Sequence, residues 1–331
     1  MKIITPVKYS ITLKSILVSL LFLVSMVALA EKQEIDKTLE ADPNGNVEVE
    51  HIAGKAQIIG WDKNEVRVSG ELGERTEKFI FERRGKTVLV VVDIKKDGKW
   101  NKWNNWGDEA DDNLMIYIPL KSRLEYTTTN SDVSLENIHG GIAAEVVNGD
   151  MTAEKISGRI RLESVNGDIN AREVEGELTI ETVNGDVKAK HLKASELNLS
   201  TVNGDIRVTS DSPEIIAETV NGDIELELDK IDELELQTVN GSIEAKLSLN
   251  AKADVRASSV GGLIELSFKG PVLARFDVEA HAGGSIKNKI TDQKMSRAKY
   301  GPRRWLKFET AEASSKVEVS TVHGKVRLET H

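Results

Sequence analysis

Apolar and polar positions alternate with period two in short stretches, as in Leu178-x-Ile180-x-Thr182-Val183 and Val187-x-Ala189, which flank the turn Asn184-Gly185. Such alternation predicts two short strands per unit, each with one buried face. The unit repeats. Its corner recurs as Val147-Asn148-Gly149-Asp150, Val165-Asn166-Gly167-Asp168, Val183-Asn184-Gly185-Asp186, Val202-Asn203-Gly204-Asp205, Val220-Asn221-Gly222-Asp223 and Val239-Asn240-Gly241-Ser242, with glycine spacings of 18, 18, 19, 18 and 19. Degenerate copies stand at Asn130-Ser131-Asp132, Val260-Gly261-Gly262 and Val322-His323-Gly324, and a weaker turn falls midway at Gly140, Gly158, Gly176 and Ser195.

Consecutive hairpins would not need the same corner at every second turn, whereas stacked coils place identical residues on top of one another. The pattern therefore predicts an all-β fold, a single-stranded parallel β-helix (solenoid) with 18 or 19 residues per coil. Asn and Gly supply residues that tolerate positive φ at the corner, and the corner Val is expected to fill the core. Stacking about 4.8 Å apart would build three ladders. One is of amides (Asn148, Asn166, Asn184, Asn203, Asn221, Asn240) and one of hydroxyls (Ser164, Thr182, Thr201, Thr219, Thr238, Ser259). The third stacks the carboxylates of Asp150, Asp168, Asp186, Asp205 and Asp223. About twelve rungs would give a rod on the order of 55 to 60 Å long.

The ends read differently. Residues 31–125 hold irregularly spaced strand-like stretches, such as Asn46-Val-Glu-Val-Glu50 and Thr87-Val-Leu-Val-Val-Val92, and are expected to form an N-terminal cap with degenerate rungs and a Trp-rich loop. Residues 126–331 form the repeat array, broken at about 287–307 by a basic segment that either projects as a loop or covers the C-terminal end. Residues 1–30 carry Lys2, Lys8 and Lys14, then an apolar run closing on Ala28-Leu29-Ala30, which reads as a cleaved signal peptide. That run is shorter than the ~20 residues a spanning helix needs, so no stable membrane span is expected after cleavage. The expected location is the periplasm, with secretion or the cell surface as the alternative.

Composition narrows the partners. There is no Cys, which removes disulfides, thiolate metal sites and a lipobox. The formal charge is −10, or −13 without the leader lysines, which argues against nucleic acid or anionic lipid as the principal partner. Aromatic residues make up only 5% of the chain, consistent with a thin aliphatic interior.

Three constellations bear on chemistry. Stacked carboxylates repel unless their protons are held, cations neutralise them or calcium bridges them, so the Asp ladder is a candidate calcium site as well as a solvated acidic edge. No other cofactor is expected. Trp100, Trp103 and Trp106, followed by Asp108, Glu109, Asp111 and Asp112, form either a platform for sugar rings or partner proteins or a lid on the core. The basic segment around Arg303, Arg304 and Trp305 either meets anionic envelope polymers or pairs with the acidic rod. His51, His139, His191, His281 and His323 show no metal-ligand spacing, and no nucleophile elbow or phosphate loop is present.

The chain resembles the exported bacterial β-helix proteins grouped as candidate adhesins, whose domain is of uncharacterised function. The resemblance rests on Ile58-Ile-Gly-Trp-Asp62, Ile118-Pro-Leu-Lys-Ser-Arg-Leu124, the TVNGD-type repeats, and Tyr300-Gly-Pro302 before Ser320-Thr-Val-His-Gly324. Here Arg303-Arg304-Trp305 replaces the small Gly/Ser-rich stretch expected at that place. The resemblance implies a non-catalytic binding or structural module of the cell envelope, acting on a polymer, glycan or protein. The alternative is an enzyme that degrades or modifies polysaccharide on the same scaffold.

Overall fold

The computed structural model describes residues 33–94 and 112–331. The described residues form an all-β, β-solenoid-like stack with no helix. Long strands follow one another in parallel, in-register pairs. Met151–Asn166 pairs with Ile169–Asn184, which pairs with Val187–Asn203, and Asn166, Asn184 and Asn203 lie level. Inward positions stack into aliphatic columns, one of which runs Met151, Ile169, Val187, Ile206, Ile224, Ile243 and Ile264, all buried. β-Branched side chains suit this pleated stack, because each packs against its own kind a strand spacing away.

The 19-residue spacing has a local cause. Gly176 is level with Ala194, and Glu177 with Glu196, so Ser195 is an extra residue left out of the ladder. Its hydroxyl donates to the Gly176 carbonyl (3.1 Å), which anchors the bulge. The coil grows by one residue at a midway corner and the main corner stays in register.

Both ends break chain order. At the N-terminal end, Asn46–Trp61 lies between Arg123–Glu136 on one side and Thr87–Ile94 with Asp112–Pro119 on the other. At the C-terminal end, Ser315–Thr321 and Lys325–Thr330 insert between Ile243–Ser259 with Leu263–Phe268 and Ala274–Ala280 with Ser285–Asn288. Antiparallel strands then close each end: Thr76–Arg84, Glu65–Leu72 and Gln33–Glu40 at one, Arg304–Glu309 and Ser296–Arg297 at the other. An open parallel edge would template further chains, and these closing strands remove it.

The basic segment is therefore no free loop. It carries two strands and folds back onto Ala274–Ala280, covering the C-terminal end.

Candidate functional site

The repeated corner is built so that its Asn, Asp and Thr groups bond to the neighbouring rung. Each Asn amide donates to the Asn before it, from Asn148 to Asn130 (2.7 Å) through Asn240 to Asn221 (2.8 Å). Each Asp Oδ1 accepts the main-chain N–H of the next corner: Asp150 from Asp168, Asp168 from Asp186, Asp186 from Asp205, Asp205 from Asp223. The inward hydroxyls of Thr182, Thr201, Thr219 and Thr238 donate to the glycine carbonyl of the preceding rung at 3.1–3.4 Å.

Two expectations about this corner are corrected. The valines face outward. Val147, Val165, Val183, Val202, Val220 and Val239 are 39–42% exposed, because Thr182 and its equivalents take the last inward position and alternation turns the next residue out. Nor do the asparagines adopt positive φ, as none is among the residues in that region. Glycine is required by closeness: a Cβ on Gly185, Gly204, Gly222 or Gly241 would sit 1.9–2.1 Å from the carbonyl oxygen of the glycine below.

The middle of the carboxylate column, Asp168, Asp186 and Asp205, is paired with cations of the protein itself. Lys188 lies 3.4 Å from Asp168 and 3.6 Å from Asp186, and Arg207 lies 3.5 Å from Asp186 and 2.7 Å from Asp205. The N–H of Asp205, with Lys188 and Arg207 beside it, holds the Asp186 carboxyl below its ordinary value. Among the described residues, no group of three or more His, Asp or Glu is arranged to hold a metal ion.

The midway corner differs in kind. Lys155, Glu173 and His191 adopt left-handed φ of 53–55°, and Ser157, Glu175 and Lys193 stack beside them. His139 joins through a 2.8 Å bond to Ser157. Together they line a shallow groove of about 570 Å³ whose side chains change at every rung.

The basic residues named from the sequence are largely engaged. Arg303 pairs with Glu279 (2.7 Å) and stacks over Trp305, while Arg304 donates to the Gly284 carbonyl. Trp100, Trp103 and Trp106 lie outside the described residues.

One cluster escaped the sequence reading. His51 Nε2 is 3.2 Å from Asp112 Oδ2, and His51 Nδ1 is 3.3 Å from the Tyr126 hydroxyl and 3.4 Å from Ser131 Oγ. Asp112 Oδ1 accepts from the Gly73 N–H (2.6 Å) and the Thr76 hydroxyl (2.7 Å). A Ser, a His and an Asp thus meet as in a hydrolase. His51 and Asp112 have zero exposure and Ser131 only 2%, so no polymer can reach them. The cluster ties the turn at residues 73–76 to the first rungs. A signal for it exists: His51 follows Val47 and Val49 at the next inward position.

Stacked parallel strands, rung-to-rung ladders and closed ends define a β-solenoid-like repeat protein. The chain belongs to the Toastrack DUF4097 family, whose model matches residues 44–297. Among solved structures it is similar to a candidate adhesin from Parabacteroides distasonis (10% identity, 91% of this chain and 98% of that one, TM-score 0.36). It is also similar to one from Bacteroides fragilis (12%, 90% and 98%, 0.33) and to a candidate cell-adhesion protein from Clostridium sporogenes (9%, 90% and 100%, 0.22). No curated protein matches the sequence.

Proposed function

We propose that the protein is an exported, non-catalytic module of the bacterial cell envelope, built as a single-stranded parallel β-helix that presents a long surface to a polymer, glycan or protein. The observation that carries this reading is the engagement of the repeated Asn, Asp and Thr groups with the next rung. Groups used at every level to hold the stack are not free to act as acid, base or nucleophile at one level. Partner contacts then fall where side chains change from rung to rung, of which the groove lined by His139, Lys155 and His191 is the clearest case.

A glycan array scored for both retention and product release tests this. Retention without turnover is the expected result; release of shortened glycan would overturn the reading in favour of a polysaccharide-degrading enzyme. Fractionation of cells expressing the full chain checks its placement, with recovery in the periplasm expected and recovery in the cytoplasm contradicting export.

A further inference from the structure

The acidic net charge conceals a segregation of charge along the molecule. Residues 287–307 hold eight Lys and Arg against the single acid Asp292, a net +7 in a chain of net −10. The structure gathers this segment at the C-terminal end, where it starts on the last parallel rung at Lys287 and continues beyond it.

Half of these cations are already matched. Lys289 pairs with Glu329, Arg303 with Glu279 and Lys307 with Asp277, while Arg304 bonds a carbonyl. Lys287, Lys294, Arg297 and Lys299 are exposed and have no ion-pair partner among the described residues. Beside them Tyr300 is 84% exposed, the most exposed large apolar side chain among the described residues, with Lys299 over its ring at 5.3 Å.

We propose that this tip docks on an anionic phospholipid surface, with Lys287, Lys294, Arg297 and Lys299 meeting headgroup phosphates and Tyr300 entering the interface. The inference deepens the envelope reading above by naming a partner, and rests on that reading only for its cellular setting. Basic side chains gain attraction within about 10 Å of such a surface, and an aromatic ring with a polar edge settles at headgroup depth. The acidic shaft is repelled by the same surface. Contact is therefore confined to the tip, and the rod stands end-on.

Sedimentation of the full chain with vesicles of phosphatidylcholine, with and without phosphatidylglycerol, tests the proposal. Binding to the anionic vesicles alone, weakened by salt, is expected. The variant K287S/K294S/R297S/K299S should bind about 600-fold more weakly, since each basic residue near an anionic surface contributes about fivefold. K121S/K190S/K230S/K246S makes the same change in net charge on the shaft and should bind like wild type. The charge-keeping K287R/K294R/R297K/K299R should also retain binding, which separates loss of charge from loss of fold.

Equal loss in the shaft variant, or equal binding to neutral vesicles, would overturn the proposal. So would retention on a soluble anionic polysaccharide with none on vesicles, which would reassign the tip to such a polymer. Because the chain lacks Cys, Tyr300→Cys and Ser157→Cys each accept one polarity-sensitive dye. A blue shift on anionic vesicles at position 300 alone supports end-on docking; an equal shift at 157 contradicts it. Failure of either test leaves the glycan-array outcome untouched.

Discussion

The middle of the rod and its two ends solve the same packing problem with different residues. Between Tyr126 and Phe268 the chain contains no aromatic residue. There, aliphatic columns and corner ladders suffice, because every rung meets a copy of itself. Beyond those limits rings join the aliphatic side chains. Phe268 meets Phe276 edge-on at 5.7 Å, Phe276 stacks on Phe308 at 4.5 Å, and Trp61 stacks on Tyr117 at 5.0 Å. The end rungs meet antiparallel partners whose side chains do not repeat, so larger and chemically distinct groups close the gaps. Repetition is thus a device for stacking, and individuality gathers at the termini of the stack.

The sharpest way to break this comparison is to deny the middle its closeness. Gly204→Ala places a methyl 2.0 Å from the Gly185 carbonyl oxygen, while Gly261→Ala, at the degenerate corner near the end, meets nothing within 4 Å. The first should cost about 4 kcal/mol or more and the second under about 0.5 kcal/mol in denaturant melts. Similar costs would show that the corner column is not close-stacked.

The N-terminal end should depend on its buried cluster almost as strongly. Asp112→Ala removes the acceptor of the Gly73 N–H, the Thr76 hydroxyl and His51, and leaves polar groups buried without partners. A loss of about 3 to 5 kcal/mol is expected. Urea unfolding read by hydrogen exchange should show the first rungs opening before the middle.

The same cluster gives that end an alkaline limit. Burial pushes the Tyr126 phenol from its ordinary 10.0 up to about 12, opposed in part by the Ser131 hydroxyl. The folded state binds this proton more tightly than the unfolded chain. Its stabilising contribution is therefore complete below pH 10 and is lost as pH rises through about 12. Thermal melts should show a fall of about 2 to 3 kcal/mol across that window, and Tyr126→Phe should flatten it.

The smallest effect belongs to one link of a long ladder. Asn203 donates to Asn184 and accepts from Asn221, both near the surface. Asn203→Ala should cost about 1 kcal/mol in the same melts.

How much of this was legible follows from where repetition operates. The corner spacing alone predicts the Asn, Thr and Asp columns, since identical residues at a fixed interval must come level when coils stack. The outward valines were legible too: the alternation Leu178, Ile180, Thr182 already turns Val183 out, and only the habit of burying Val suggested otherwise. Order at the ends was not legible. Nothing local to Asn46–Trp61 shows that Thr87–Ile94 and Asp112–Pro119 will lie outside it, because that pairing depends on contacts distant in sequence. His51 and Asp112 stand 61 residues apart, and only the inward position of His51 hinted that it needed a buried partner.

The central claim is that successive corners lie one strand spacing apart along one axis. The outward valines make it measurable, since pairs such as Val147→Cys with Val183→Cys, Val220→Cys or Val260→Cys accept spin labels in a chain without Cys. Pulsed electron resonance should return backbone separations that grow by about 4.8 Å per rung, reaching roughly 29 Å between 147 and 260. Separations that fail to grow with the number of intervening corners would contradict the stack.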